Sequence, residues 1–166
     1  MSFDYISAFR EGHANNCAVA DILRECGLQD VEVPEWSMHQ SQAELEDKTR
    51  NEKDILVGNL VLELKTSSQV FDDIDDFPFT KIIVDTVHGF DSKTIKPFAY
   101  IHKSQKGIGI FVTPVASKPH WTIATVYDAK RQVEFEAYFV DKRYTRPFSE
   151  LVEVLLERQS DRASEV

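Results

Sequence analysis

The stretch that decides the fold is EKDILVGNLVLELKTSS, residues 52–68. Two apolar runs stand on either side of the Gly58-Asn59 pair, and such a dipeptide is typical of a tight turn between strands. The sequence therefore predicts a β-hairpin, with one strand at residues 54–57 and the next at residues 60–66.

Charged side chains interrupt this apolar hairpin. Successive side chains on a strand point to opposite faces, so we expect Glu63 and Lys65 to project from the same face. Asp54 lies at the start of the first strand and can reach that face across the hairpin. The opposite face carries three residues that we expect to enter the core: Leu60, Leu62 and Leu64. Buried charges are costly unless partners compensate them, so the charged face needs a chemical explanation.

Two carboxylates beside a lysine suggest a metal-dependent reaction. Carboxylates held about 4 Å apart repel by about 4 kcal/mol at an effective dielectric of about 20, and a divalent cation converts that repulsion into binding. Oxygen ligands favour Mg²⁺ or Mn²⁺. Lys65 can orient or deprotonate an attacking water, or offset phosphate charge, so the set fits phosphodiester hydrolysis. The alternative is a simple salt bridge between Glu63 and Lys65 on a half-exposed strand.

The residues before the hairpin predict a helix and a short strand. Apolar positions in segment 3–26 follow a 3.6-residue stripe, with Gly12 as a point of kinking or splitting and Gly27 at a C-cap position. Alternation over residues 31–33 predicts a strand that Pro34 ends.

Two polar segments flank the hairpin. Residues 41–48 predict a short helix, because Ser41 and Glu44 have the spacing of a capping box. Residues 70–79, VFDDIDDFPF, are acidic but lack the glycine and the terminal glutamate of an EF-hand loop. We expect a solvated loop there.

The second half of the chain predicts strands followed by a helix. Residues 146–159 predict that helix, with Ser149 as its N-cap and a frayed tail from about residue 160. The strands have the sequences TKIIVDTV, PFAYIHKS, GIGIFVTP, HWTIATVY and VEFEAYFV, and the last four form two pairs. The order of helix, strands and helix predicts a single α/β (α+β) domain over residues 1–166.

The composition narrows the class of protein. The 166 residues carry a net charge of −9, which argues against a protein that simply coats nucleic acid. Residues 86–166 nevertheless hold 12 basic and 10 acidic residues, enough for a local basic rim. We expect no signal peptide and no membrane span. Cys17 and Cys26 are too few for a disulfide framework, which favours the cytoplasm.

Other common sites are missing from the sequence. It has no phosphate-binding loop of the G-x-x-x-x-G-K-[ST] type, no G-x-S-x-G elbow and no C-x-x-C pair. The five histidines show no i, i+4 ligand pair, so we expect surface or packing roles for them.

The hairpin resembles the PD-(D/E)XK nuclease superfamily, the fold of many restriction enzymes, phage exonucleases and junction resolvases. Asp54 in EKDILV and Glu63-Leu64-Lys65 in LVLELKTSS match its motif, and the helix-first order also matches. The pattern covers roughly residues 10–112 and is most similar to small phage-encoded members. The resemblance implies a restriction-endonuclease-like fold, with a central mixed β-sheet flanked by helices. It also implies a Leu64 backbone carbonyl that binds metal beside Asp54 and Glu63.

The sequence departs from the family pattern at two places. Asn16 stands where the first helix often carries a glutamate, so either Asn16 or Glu44 would complete the metal site. Lys53 precedes the aspartate, where many members have a proline.

The resemblance implies a Mg²⁺- or Mn²⁺-dependent deoxyribonuclease that acts as an endonuclease. Its catalytic residues would be Asp54, Glu63 and Lys65. If the protein is phage-encoded, the resemblance implies that it works in the cytoplasm of a bacterial host. RNA stays open as a substrate. Thr66 and Gln69 would line the site. Nucleic-acid contacts are expected from Lys103, Lys106 and Arg143, and three aromatic residues are available for base stacking, although core packing is their more common role: Tyr100, Trp121 and Tyr144.

Two alternatives remain open at this point. One is a structure-selective Holliday-junction resolvase, which would require a homodimer. The other is a catalytically silent protein of the same fold that binds a protein partner or mimics the charge of DNA, as the acidic composition would allow.

Overall fold

The predicted hairpin lies at the centre of a six-stranded sheet in the computed structural model, which describes residues 5–34 and 54–164. The elements follow in chain order: α1 (Tyr5–Glu25), β1 (Val31–Glu32), β2 (Ile55–Val57), β3 (Leu60–Ser67), β4 (Lys81–Thr86), α2 (Val87–Asp91), β5 (Ala99–Ser104), β6 (Ile110–Pro114), β7 (Thr122–Asp128), β8 (Val133–Asp141), β9 (Arg146–Pro147) and α3 (Phe148–Ser164). Among the described residues, no helix combines the length and the apolar character needed to cross a bilayer.

The hairpin prediction is confirmed. Strands β2 and β3 are antiparallel, with Ile55 opposite Leu62. Gly58 takes a φ of +60° in the turn, a left-handed conformation that glycine adopts without steric penalty.

The larger sheet is mixed. Its strand order is β1-β2-β3-β5-β6-β9, and only the central β3–β5 pair is parallel. This pair sets Glu63 opposite Tyr100 and Lys65 opposite His102. Parallel neighbours need a crossover connection, and here the chain between them forms β4 and α2. The crossover therefore brings new residues to the face that carries Glu63 and Lys65.

A second sheet of three strands, in the order β4-β8-β7, lies outside the sequence prediction. The β5–β6 and β7–β8 pairs were predicted correctly, because short turns connect them. The β4–β8 pair joins Lys81 to Asp141, and no local pattern in the sequence reveals a partner so distant. The mixed α/β class with helices on a central sheet is confirmed, and the small sheet adds to it.

Two hydrophobic cores lie against the six-stranded sheet, one on each face, and β3 contributes to the sheet between them. The first core joins α1 and α3 to the six-stranded sheet, and Leu62 and Leu64 belong to it. The second core lies between the two sheets and includes Tyr100, Phe111 and Tyr138. Although both faces of the sheet are covered, the charged face of β3 is not uniformly buried: Glu63 is buried and Lys65 is partly exposed.

The helices differ from prediction in detail. Helix α1 runs unbroken past Gly12, and Gly27 ends it with a φ of +104°, as a C-cap glycine should. Helix α3 begins at Phe148, directly after a proline that favours helix starts, so the assignment of Ser149 as N-cap is wrong. The helix continues to Ser164, past residue 160, and the predicted fraying of the tail stays a prediction.

Side-chain contacts anchor α3 at residues 158 and 159. The Oε1 atom of Gln159 accepts a hydrogen bond from the backbone N–H of Gln29 at 2.9 Å, and Arg158 lies over the ring of Phe98. Strand β1 is shorter than predicted and ends at Glu32. The acidic residues of segment 70–79 are exposed, as predicted, and their carboxylates accept backbone N–H groups of the loop. The predicted helix at residues 41–48 lies outside the described residues.

Candidate functional site

Asp54 stands one residue before β2 and faces the middle of β3. Its Oδ2 atom accepts a hydrogen bond from the backbone N–H of Leu64 at 2.9 Å. The side chain of Asn16, on α1, hydrogen-bonds the same carboxylate. Burial raises the pKa of Asp54, and this effect exceeds the lowering by the Leu64 N–H, Lys65 and Asn16. Asn16 therefore reaches the site, at the position where the family pattern has a glutamate.

Glu63 is buried, and its carboxyl group is only partly compensated by polar partners. Its side chain is only about a tenth exposed, and Oε1 lies 3.4 Å from the Nζ atom of Lys93 and 3.8 Å from that of Lys65. The Oε2 atom is buried and has no hydrogen-bond partner among the described residues. Burial raises the pKa of Glu63 to about 7; Lys65 opposes the rise, and the nearby Asp54 carboxylate adds to it.

Lys65 lies on the same face as Glu63, as predicted, but its shortest ion pair is with a residue of another element. Its Nζ atom is 3.3 Å from the Oδ1 atom of Asp85, compared with 3.8 Å from Glu63. Burial alone would lower the pKa of Lys65, but the carboxylates of Asp85, Glu63 and Asp54 outweigh burial and raise it. The side chain therefore stays a charged ammonium, with 38% of its surface exposed.

Three buried groups that the sequence did not identify complete this cluster. Asp85, from β4, accepts hydrogen bonds from the hydroxyl of Tyr100 at 2.6 Å and from the Nζ atom of Lys93 at 3.1 Å. Burial would raise the pKa of Asp85, but Lys65, Tyr100 and Lys93 together lower it. An acid inside the apolar run TKIIVDTV is the same signal that singled out Glu63, so Asp85 could have been found.

Among the described residues, carboxyl groups outnumber ammonium groups in this cluster. Asp54, Glu63 and Asp85 lie with Lys65 and Lys93, and both lysines contact Asp85. Burial is the largest cause of the raised pKa of both Asp54 and Glu63, and for Glu63 the neighbouring Asp54 carboxylate adds to the rise.

The aromatic and histidine residues near the site have packing roles. Tyr100 is fully buried, so the suggestion that it stacks on a base is wrong; burial and the nearby Asp85 raise the pKa of its hydroxyl far above the usual value. His102 is buried against Thr113 Oγ1, at 2.9 Å, and burial lowers its pKa to about 3. Trp121 packs between the rings of Phe90 and Tyr138.

The predicted nucleic-acid contacts differ in their exposure, and Lys103 lies in register with Thr66 on the neighbouring strand. Lys106 is exposed in the β5–β6 turn, and Lys103 is half-buried at the end of β5. Arg143 is exposed over the ring of Tyr144, which itself stacks on His120. Thr66 and Gln69 line a cavity that also includes Lys65. These positions leave the nucleic-acid roles as predictions.

The donor chemistry of the site fits a hard divalent cation. Asp54 and Glu63 offer carboxylate oxygens, and Glu63 Oε2 is a buried acceptor without a partner among the described residues. The N–H of Leu64 points at Asp54, and the N–H and C=O of one strand residue point to the same side, so its carbonyl faces Asp54 too. The described residues contain no group of three or more His, Cys, Asp or Glu side chains arranged for a metal. Glu44, the other candidate ligand, lies outside them.

Comparisons of the chain with protein-family models, with curated proteins and with solved structures find no match. The resemblance to PD-(D/E)XK nucleases therefore stays a prediction from the motif.

Proposed function

We propose that this protein is a Mg²⁺- or Mn²⁺-dependent nuclease that hydrolyses phosphodiester bonds of DNA. One observation carries the proposal: Asp54 and Glu63 are two buried carboxyl groups, close enough for the charge of Asp54 to raise the pKa of Glu63, and they lie beside the ammonium of Lys65. Burying two carboxyl groups together is costly, so their presence in one site favours a role in binding a cation. The exposed part of Lys65 gives a phosphate group access to the site.

The residues have distinct roles in this proposal. Asp54 and Glu63 would hold the cation together with the Leu64 carbonyl, and the Asn16 amide would orient Asp54. When bound, the cation would act as a Lewis acid toward the phosphoryl oxygens.

Lys65 would act as a fixed positive charge. The sequence left two roles open, deprotonation of water and stabilisation of the developing phosphate charge. The raised pKa of Lys65 favours the second role, because an ammonium that keeps its proton cannot accept one. A preorganised donor of this kind contributes about 10²–10³-fold to a rate.

Asp85 would position Lys65. Its Oδ1 atom contacts the ammonium of Lys65, while Tyr100 and Lys93 hold its Oδ2 atom. Asp85 belongs to β4 and Lys93 follows α2, so the crossover connection serves the site directly.

A second candidate function has one observation in its favour. Lys93 already lies within 3.4 Å of both Glu63 and Asp85, where it offsets charge that a metal would otherwise offset. Together with Asn16 in place of a glutamate, this arrangement supports a catalytically silent protein that binds a protein partner or mimics DNA charge. Such a protein would cleave no nucleic acid with any divalent ion.

The test is a cleavage panel with matched variants. Single-stranded DNA, duplex DNA, RNA and a four-way junction are incubated with Mg²⁺, Mn²⁺ or EDTA. We expect metal-dependent cleavage that is lost in Asp54→Ala and Lys65→Ala and retained in Lys130→Ala, which removes an exposed lysine of the β7–β8 turn. Cleavage that is confined to the junction, by a protein that sediments as a dimer, would identify the resolvase. If no substrate is cleaved, the catalytically silent protein is the candidate that remains.

A further inference from the structure

A cavity of about 760 Å³ opens beside Lys65. It lies between the last residues of β3 and the small sheet, and several phenylalanine side chains line it together with Lys65, Thr66 and Gln69. Its volume falls within the range of about 300–1,000 Å³ that small-molecule sites occupy. We name it the aromatic cavity.

The apolar wall of the aromatic cavity is unusually exposed. Phe79 is 54% exposed and Ile83 is 44% exposed, although both are large apolar residues. Phe135 and Phe139, from β8, are only partly buried on the same wall. Exposed apolar area of this kind, concentrated around one opening, is typical of a ligand site.

The charged lining of the cavity is complementary to an anion. Lys65 and Lys81 line it together with a single carboxylate, that of Asp85. Both oxygens of Asp85 are already engaged, by Lys65 on one side and by Tyr100 and Lys93 on the other. The lining therefore holds one more cationic than anionic side chain, although the whole chain carries a net charge of −9.

We propose that the aromatic cavity binds the base of an unpaired nucleotide next to the phosphate that Lys65 contacts, so that the substrate is single-stranded DNA. Aromatic rings stack on any base, Thr66 and Gln69 offer hydrogen-bond groups, and Lys65 lies where the phosphate would be. A base within a duplex must first be unpaired and extruded from its stack, and an unpaired base avoids that cost. The inference rests on the proposed nuclease function and specifies its substrate.

Binding in EDTA tests the cavity without cleavage. A fluorescein-labelled oligothymidine and a duplex of equal length are titrated with the full chain, and anisotropy gives the Kd of each. We expect tighter binding of the single strand. Phe79→Ala should weaken it by about 5- to 150-fold, the loss that one base–aromatic stack causes. Tyr127→Ala is the matched control, because Tyr127 is an exposed ring, 61% accessible, on β7.

An abasic oligonucleotide separates stacking from a general effect on the fold. It keeps the phosphates but has no bases, so Phe79→Ala should not weaken its binding further. Equal weakening of the normal and abasic strands by Phe79→Ala would overturn the proposal. So would equal effects of Phe79→Ala and Tyr127→Ala, equal affinity for the duplex, or no binding of the single strand.

The two proposals can fail independently. If the wild type binds the single strand through Phe79 but cleaves no substrate with Mg²⁺ or Mn²⁺, the cavity assignment stands and the nuclease function fails. If the wild type cleaves duplex DNA and Phe79→Ala changes neither binding nor cleavage, the nuclease function stands and the cavity assignment fails.

Discussion

Replacing Glu63 by glutamine distinguishes a functional carboxylate from a structural ion pair without any substrate. Glutamine keeps the shape of the side chain and resembles its protonated form. Burial raises the pKa of Glu63 in the folded protein from the ordinary 4.5 to about 7. Between these values the folded protein keeps a proton that the unfolded chain has released, so the free energy of unfolding falls as the pH rises through this window.

The magnitude follows from the two pKa values. At 1.36 kcal/mol per pKa unit, the ionised carboxylate destabilises the fold by about 3 kcal/mol above pH 7. The Glu63→Gln variant lacks this penalty. We therefore expect it to be more stable than the wild type by on the order of 2–3 kcal/mol at pH 8, and by less than about 1 kcal/mol at pH 5.

Urea unfolding followed by circular dichroism measures this difference in EDTA at pH 5, 6, 7 and 8. With a slope of about 2 kcal/mol per molar urea, the midpoint at pH 8 should rise by about 1 M or more. The Glu153→Gln variant, which changes an exposed carboxylate on α3, serves as the control and should leave the midpoint unchanged. A Glu63→Gln variant that is less stable than the wild type at pH 8 would refute the reasoning, because Glu63 would then be the anchor of a stabilising ion pair.

Three further predictions concern the same cluster. Lys65→Ala should slow cleavage by about 10²–10³-fold and keep the circular dichroism spectrum of the wild type; full activity, or an unfolded variant, would contradict its role. Free Mn²⁺ at 100 times its Kd should raise the free energy of unfolding by about 2.7 kcal/mol, and Asp54→Ala should abolish this gain, so an equal gain in both proteins would exclude Asp54 as a ligand. His102 has a pKa of about 3 in the folded protein, below its ordinary 6.5, so on acidification the unfolded chain binds a proton that the folded protein does not. The free energy of unfolding of the wild type should therefore fall by about 2 kcal/mol between pH 7.5 and pH 5 through this residue. His102→Gln should lack this contribution when the two unfolding profiles are compared, and identical slopes would contradict it.

The sequence predicted the local half of the site. Glu63 and Lys65 are two residues apart on one strand, and Asp54 is one hairpin away, so strand alternation alone placed them together. The same reasoning predicted burial of Leu62 and Leu64 on the opposite face.

The other half of the site depends on distant pairing. Asp85 and Lys93 come from the crossover between β3 and β5, and Tyr100 turned out to be buried only because the small sheet covers that face. The small sheet requires β4 to pair with β8, more than 50 residues later. Hydrophobic periodicity describes which residues are buried, but it carries no information about which strands meet.

The parallel β3–β5 pair also bears on how the chain folds. The hairpin of β2 and β3 closes over a two-residue turn, whereas the β3–β5 and β4–β8 contacts require long loops to close first. Contacts of high sequence separation form slowly, because loop-closure entropy is lost before they contribute. Tyr100, which hydrogen-bonds Asp85, belongs to the core between the two sheets, so we expect the docking of the sheets to be the slowest step in folding and the step that completes the site. A chain with its hairpin formed but its sheets still apart would present Glu63 to solvent at its ordinary acidity.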